Sequence, residues 1–152
     1  MRAVVQRVGS AAIFVGNRKI SSIEKGALVF LGVERGDDNK DADYLLDKVI
    51  NLRIFDDEMG KMNHSLLDKS YAMLVVSQFT LLGDCRKGRR PSFVSAEDPV
   101  KANLLYEYFI SKGRERINNV SGGEFQAMMK VELINDGPVT ILLDSRKSSQ
   151  GG

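Results

Sequence analysis

The sequence predicts a single α+β domain with a curved, mostly antiparallel sheet. Three observations lead there. The first third of the chain is a run of short β-prone segments joined tightly. Two stretches of helical periodicity then alternate with further strands, and each begins at aspartate. No linker, internal repeat or shift in composition divides the 152 residues, a length that buries a substantial core as one unit. One domain is therefore expected over residues 1–146, with a disordered tail over 147–152.

The elements follow in order. "MRAVVQRV" alternates in part and reads as a strand; "SAAIFV" and "RKISSI" read as two more, joined by the turn signal Gly16-Asn17. "GALVFLGV" is a continuous apolar run, as in a strand buried on both faces. A helix is expected over residues 37–52, where Ala42, Leu45, Leu46, Val49 and Ile50 recur at helical spacing. Asp37, Asp38, Asp41 and Asp43 crowd its first turn, where the helix dipole favours anions. "LRIFDD" reads as a short strand, "DDEMGKMN" as a loop, and "YAMLVVSQFTL" as a central strand. Asp98-Pro99 sets a cap and a first-turn proline for a second helix, with Leu104, Leu105, Tyr108 and Phe109 as its apolar stripe. Gly122-Gly123 breaks the chain. "AMMKVELI" and "PVTILLD" then read as a terminal hairpin turning at Asn135-Asp136-Gly137-Pro138. The turn explains the first three of those residues and leaves Pro138 unexplained, because proline removes a donor where a strand should begin pairing.

Composition excludes several classes. With 43% hydrophobic and 28% charged residues, the chain is that of a folded, water-soluble domain. Its longest apolar run is too short to span a bilayer, and "MRAVVQRV" lacks the features of a signal peptide. The lone Cys85 rules out an internal disulfide framework and fits a reducing cytoplasm. One cysteine and one histidine, His64, cannot build a common zinc site, and His64 in a polar loop is a poor catalytic base. Neither G-x-x-x-x-G-K-[ST] nor G-x-G-x-x-G occurs. No metal or other cofactor is expected.

Two stretches carry candidate chemistry. "SQFTL", from Ser77, places polar side chains at the end of a strongly apolar strand. It reads either as hydroxyls satisfying a strand end or as backbone N–H groups, with Gln78 and Thr80, suited to a developing oxyanion. "CRKGRR" packs Arg86, Lys87, Arg89 and Arg90 into one loop, either a solvated basic surface or a phosphate-binding one.

Together these stretches resemble the D-aminoacyl-tRNA deacylases, over essentially the whole chain. "MRAVVQRV" matches the family's opening, while "SQFTL" and the Gly-Pro of "NDGPVT" match its two signature motifs. "RKGRRPSF" and "FQAMMKVELINDGPVT" match their surroundings. Either motif alone would be weak; both at this separation are specific. The resemblance implies a barrel-like sheet with two main helices and hydrolysis of the ester between a D-amino acid and the terminal adenosine of tRNA. It also implies some removal of glycine, as from glycyl-tRNA mischarged on tRNA-Ala.

It further implies a cytoplasmic homodimer with active sites at the subunit interface. A cis Gly137-Pro138 peptide would reach into the partner's pocket, its carbonyls gripping the substrate's amino group and leaving no room for an L side chain. Gln78, Phe79 and Thr80 become the catalytic segment, with water attacking and the RNA's 2′-hydroxyl assisting. Ser77, Gly137, Pro138, Phe125, Met129 and Arg7 become substrate-binding residues. Phe125 and Met129 read equally as core, and Arg7 equally as a surface ion pair. Arg86, Lys87, Arg89 and Arg90 become tRNA contacts. Two rivals remain at this point: a non-catalytic RNA-binding module on the same scaffold, and a small-molecule esterase with Thr80 as nucleophile.

Overall fold

The structure, a computed structural model, describes residues 1–146; the tail expected at 147–152 lies outside the described residues. Eight strands and three α-helices follow in the order β1 (Arg2–Val15), β2 (Arg18–Ile23), β3 (Gly26–Gly32), α1 (Asn39–Asn51), β4 (Phe55–Asp56), β5 (Met62–His64), α2 (Leu66–Lys69), β6 (Ala72–Ser77), α3 (Pro99–Arg116), β7 (Val120–Gly122) and β8 (Met129–Asp144). A single 3-10 turn, Phe79–Leu82, follows β6.

The main sheet runs β2-β1-β3-β6-β7, and β8 pairs with the other edge of β1. The β1, β2, β3 and β8 pairings are antiparallel, whereas β3–β6 and β6–β7 are parallel, so the sheet is mixed. The Ser21 hydroxyl donates to the Gly122 carbonyl at 2.9 Å and joins β2 to β7, the two ends of the path. The sheet is thereby nearly barrel-shaped, with α1 and α3 packed outside it.

The two expected strands "MRAVVQRV" and "SAAIFV" are one 14-residue strand. Arg2 to Val8 of β1 pair with β3, and Ala11 to Val15 pair with β2. Gly9 and Ser10 are where the partner changes, not where the strand ends. The Gly16-Asn17 turn is as expected, with Val15 opposite Arg18 and Gly16 at φ 59°, a left-handed conformation that glycine adopts freely.

The terminal hairpin is not formed. Both halves of β8 run antiparallel to β1, from Val15↔Met129 to Arg2↔Asp144. Between Val8↔Asn135 and Gln6↔Thr140 the chain leaves the ladder and returns to it. Pro138 has no N–H to offer β1, so this part of the strand bulges instead of pairing. The Asn135 side-chain amide closes the bulge, donating to the carbonyls of Arg7 at 2.9 Å and Val139 at 3.1 Å.

Both main helices start where expected. Asp38 caps α1 in a reciprocal box with Asp41, and Asp98 caps α3 ahead of Pro99. The apolar stripe of α3 is displaced from the expected one: Leu105, Tyr106, Phe109, Ile110 and Gly113 are buried, while Leu104 is 67% exposed. Together with Leu45, Leu46, Val49 and Ile50 of α1, these cover Val29, Leu31, Met73 and Val75 on one face of β3 and β6. Leu28, Leu74 and Val76 point to the other face, against Val8, Ala11, Ile13 and Ile23. Burial on both faces accounts for the unbroken apolar run of β3.

At Gly26 an added Cβ would lie 1.9 Å from the Ala72 carbonyl oxygen, so β3 and β6 approach closely only because residue 26 is glycine. Gly26→Ala is expected to destabilise the fold by about 3 kcal/mol, the upper end of overpacking costs, as read by urea unfolding. An unchanged midpoint would show that the two strands can part there without loss.

Candidate active site

Strand β6 leaves the core at Ser77. The Gln78 N–H still donates to the Leu31 carbonyl at 2.8 Å, and the chain then winds into the 3-10 turn. Within it Leu81 N donates to Gln78 O at 3.2 Å and Gly83 N to Thr80 O at 3.0 Å. The N–H groups of Phe79 and Thr80 open the turn, and neither has an acceptor among the described residues. The turn packs tightly on β3 because residue 32 is glycine: a Cβ there would sit 2.9 Å from the Gln78 carbonyl oxygen and 2.6 Å from Leu82 Cδ2. The Gln78 side-chain amide donates to the Thr80 hydroxyl. Among the described residues no carboxylate or imidazole is hydrogen-bonded to that hydroxyl; His64 sits in β5, its Nδ1 4.0 Å from the Asp68 carboxylate.

Ser77, Gln78 and Phe79 form part of the lining of a cleft of about 580 Å³, and Phe125 and Met129 line it as well. These five sequence-predicted residues therefore come together. Phe125 is partly buried against the core and also faces the cleft. Thr80 is exposed beside the cleft and outside its lining.

Among the lining residues that the sequence reading did not single out are two ionisable ones, Glu97 and Tyr106. Glu97 accepts from Lys101 Nζ at 3.0 Å and from the N–H groups of Asp98 and Gly36. The Lys101 bond, then the two backbone bonds, hold its carboxyl down at about 2. The Tyr106 hydroxyl donates to the Val75 carbonyl and accepts from Gly123 N–H, both at 2.9 Å. Burial is the main cause that pushes its phenol up to about 12, so it stays a donor at neutral pH. Glu97 directly precedes the Asp98-Pro99 helix start, which marks the loop but not its carboxylate; nothing in the sequence marks the Tyr106 hydroxyl.

Arg7 and the Gly-Pro bulge form a second group, outside the lining of that cleft within one chain. Arg7 is only 8% exposed. Its Nε donates to the Asp136 carbonyl at 2.8 Å, and one terminal nitrogen donates to the Ile54 carbonyl at 2.9 Å. The carboxylates of Asp56 and Asp136 lie 3.3 and 3.4 Å away. The guanidinium thus braces the bulge from beneath, rather than forming an ordinary surface ion pair. Asp136, Gly137 and Pro138 project into solvent above it, and the Gly137–Pro138 peptide is cis.

The basic loop stands next to the 3-10 turn. Asp84 and Ser92 pair across its neck, and the Phe79 and Phe93 rings meet edge to face at 5.0 Å. Its four cations are not equivalent. Arg86 grips Asp84 with two nitrogens, at 2.6 and 2.9 Å, and this hydrogen bonding holds the Asp84 carboxyl at about 2. Lys87, Arg89 and Arg90 are exposed with no carboxylate partner among the described residues. Among the described residues no group of His, Cys, Asp and Glu side chains could hold a metal ion, and no helix is long and apolar enough to cross a membrane.

Comparison with known proteins places this geometry. The model of the family described as D-Tyr-tRNA(Tyr) deacylase matches residues 4–144. A D-aminoacyl-tRNA deacylase of Syntrophus aciditrophicus is 69% identical over 147 residues, covering 97% of this chain and 99% of that one. The solved structure of a c-Myc DNA unwinding element binding protein superposes with a TM-score of 0.90 at 42% identity, covering 95% of this chain and 98% of that one. A structure described as "a probable eukaryotic D-amino acid tRNA deacylase" has a TM-score of 0.80 at 16% identity, covering 93% of this chain and 97% of that one, and shares the fold. The class so defined is an enzyme, a hydrolase acting on ester bonds. The chain belongs to the D-aminoacyl-tRNA deacylase family.

Removing the Arg7 guanidinium would strand the buried Ile54 carbonyl and free the Asp136 carbonyl of the bulge. Arg7→Ala is expected to cost about 1–3 kcal/mol of stability and to speed amide exchange at Val139 and Thr140. Exchange and stability at wild-type values would mean that the bulge holds itself.

Proposed function

We propose that this protein hydrolyses the ester of D-aminoacyl-tRNA, using the backbone N–H groups that open the 3-10 turn and a Gly-Pro bulge supplied by a second copy of the chain. The observation that carries the reading is the pair of unpartnered N–H groups, Phe79 and Thr80, at the edge of an apolar cleft. An aminoacyl ester is already activated. Its carbonyl oxygen, placed at that pair, would gain negative charge as water adds, and two fixed dipoles stabilise it there. The intermediate then releases a free D-amino acid and the tRNA's terminal hydroxyl. Gln78 orients the group, the neighbouring 2′-hydroxyl of the RNA assists the water, and no metal takes part. Thr80 serves through its N–H.

Phe125 and Met129 offer the terminal adenine a surface on which to stack. Lys87, Arg89 and Arg90 would take tRNA phosphates, with Arg86 held back by Asp84. The bulge presents backbone rather than side chains. If its carbonyls grip the amino group, a D side chain points out and an L side chain meets the wall, while glycine passes. Because the bulge lies away from its own cleft, the reading requires a homodimer. Such an enzyme would proofread translation in the cytoplasm.

Hydrolysis of D-tyrosyl-, L-tyrosyl- and glycyl-tRNA tests the reading: the D ester should be cleaved, glycine to some extent, and the L ester spared. Efficient cleavage of L-tyrosyl-tRNA would end the filter. Phe79→Pro removes one N–H at a position where proline suits a helical start, and should cut kcat about 10²–10³-fold. Phe79→Ala and Thr80→Ala keep the N–H groups and should retain much activity; a trapped acyl-Thr80 species would overturn the mechanism. Replacing Arg89 and Arg90 by alanine should weaken tRNA binding and flatten its salt dependence, with less effect on turnover at saturation. Unaltered affinity would make the loop a solvated surface.

A further inference from the structure

We infer that Tyr106 is a positioning residue for the reaction: its hydroxyl sets the wall that holds the terminal base in register with the turn that holds the ester. This rests on the reading of Phe125 as the base-stacking residue.

Tyr106 is 1% exposed, yet it lines the cleft. Its hydroxyl joins the ends of two strands. On one side it donates to Val75 O, two residues before Ser77 and three before Gln78. On the other it accepts from Gly123 N–H, two residues before Phe125. The Tyr106 and Phe125 rings lie 6.0 Å apart at 37°. A Cβ at Gly122 would come within 2.8 Å of the Tyr106 oxygen, and one at Gly123 within 2.6 Å of Met129 Sδ. The two glycines let the wall close down on the hydroxyl, with Met129 resting on Gly123. The β6–β7 ladder ends at Val75↔Gly122, and beyond it this buried hydroxyl, beside the Gly123 N–H to Val75 O contact, ties the exit of β6, which carries the amide donors, to the exit of β7, which carries Phe125. Hydrolysis needs the ester carbonyl at the donors while the base stays on its wall, so the spacing of the two exits sets how much of the base's binding reaches the reacting atoms.

Tyr106→Phe removes the hydroxyl and keeps the ring. Gly123 N–H retains a direct approach to Val75 O, already 3.3 Å in the structure, so the variant is expected to fold. The test compares two esters, D-tyrosyl-adenosine and the D-tyrosyl ester of the same ribose without its base. In wild type, kcat/KM should be about tenfold or more higher for the adenosine ester, the worth of one stacked base. Phe125→Ala should erase that advantage. Tyr106→Phe should reduce it several-fold through a lowered kcat for the adenosine ester, with a much smaller change in the rates on the base-free ester. Gly123→Ala, which displaces Met129 from the same wall, should do likewise. Equal losses on both esters, or an advantage kept in Tyr106→Phe while Phe125→Ala loses it, would overturn the inference. A wild type that does not prefer the adenosine ester would overturn the stacking reading itself, and this inference with it.

Discussion

Strand β1 hydrogen-bonds along both edges, to β2 and β3 on one side and to β8 on the other, and the rest of the molecule is arranged around that double pairing. A proline in β8 cannot join such a ladder. The strand has to leave β1 at Asn135 and rejoin it at Thr140, and the gap is filled by an arginine from β1 itself. Arg7 can be buried because the bulge supplies one carbonyl oxygen, from Asp136, and the segment before β4 another, from Ile54, which a guanidinium needs away from water. One edge of β1 thus carries the projecting Gly-Pro peptide. The other edge leads through β3 to β6, whose exit carries the unpartnered amides.

The two halves of the proposed chemistry are therefore both backbone features on rigid elements. The 3-10 turn is pinned to β3 by the close approach at Gly32 and by Gln78 N–H to Leu31. The bulge is pinned by Arg7 and Asn135. Donors and acceptors fixed in this way need little reorganisation when charge develops, which favours the transition state over the ground state. It would also let the proposed site work without a triad: among the described residues no carboxylate or imidazole is hydrogen-bonded to the Thr80 hydroxyl, and an activated ester attacked by water would ask little of one.

Much of this was legible in the sequence. The aspartates between Asp37 and Asp43, and Asp98 with Pro99, announced the starts of α1 and α3 because helix-end effects act locally. "SQFTL" stood out because polar residues ended an apolar strand. The misreadings have a common cause. "KVELI-NDGP-VTILL" has the local pattern of a hairpin, and only pairing with β1, more than a hundred residues away in sequence, makes it one bulged strand. On α3, Leu104 and Tyr108 were chosen over Tyr106 and Ile110 because neighbouring stripes look alike in sequence, and only the packed sheet decides which is buried. The roles of Tyr106 and Arg7 rest on backbone partners, Val75, Gly123, Asp136 and Ile54, to which residue types give no clue.

The central claim is that one functional site takes its amides from one copy of the chain and its Gly-Pro bulge from another. Phe79→Pro impairs the first half. Gly137→Ala impairs the second, by setting a Cβ 3.0 Å from Oδ1 of Asn135, the residue whose Nδ2 closes the bulge. Co-expressing the two variants and assaying D-tyrosyl-tRNA hydrolysis tests the claim directly. A shared site predicts that the mixture recovers about a quarter of wild-type activity, since half the dimers are mixed and each holds one intact site. Activity no greater than the average of the separate variants, in a preparation where mixed dimers are isolated by two tags, would contradict it.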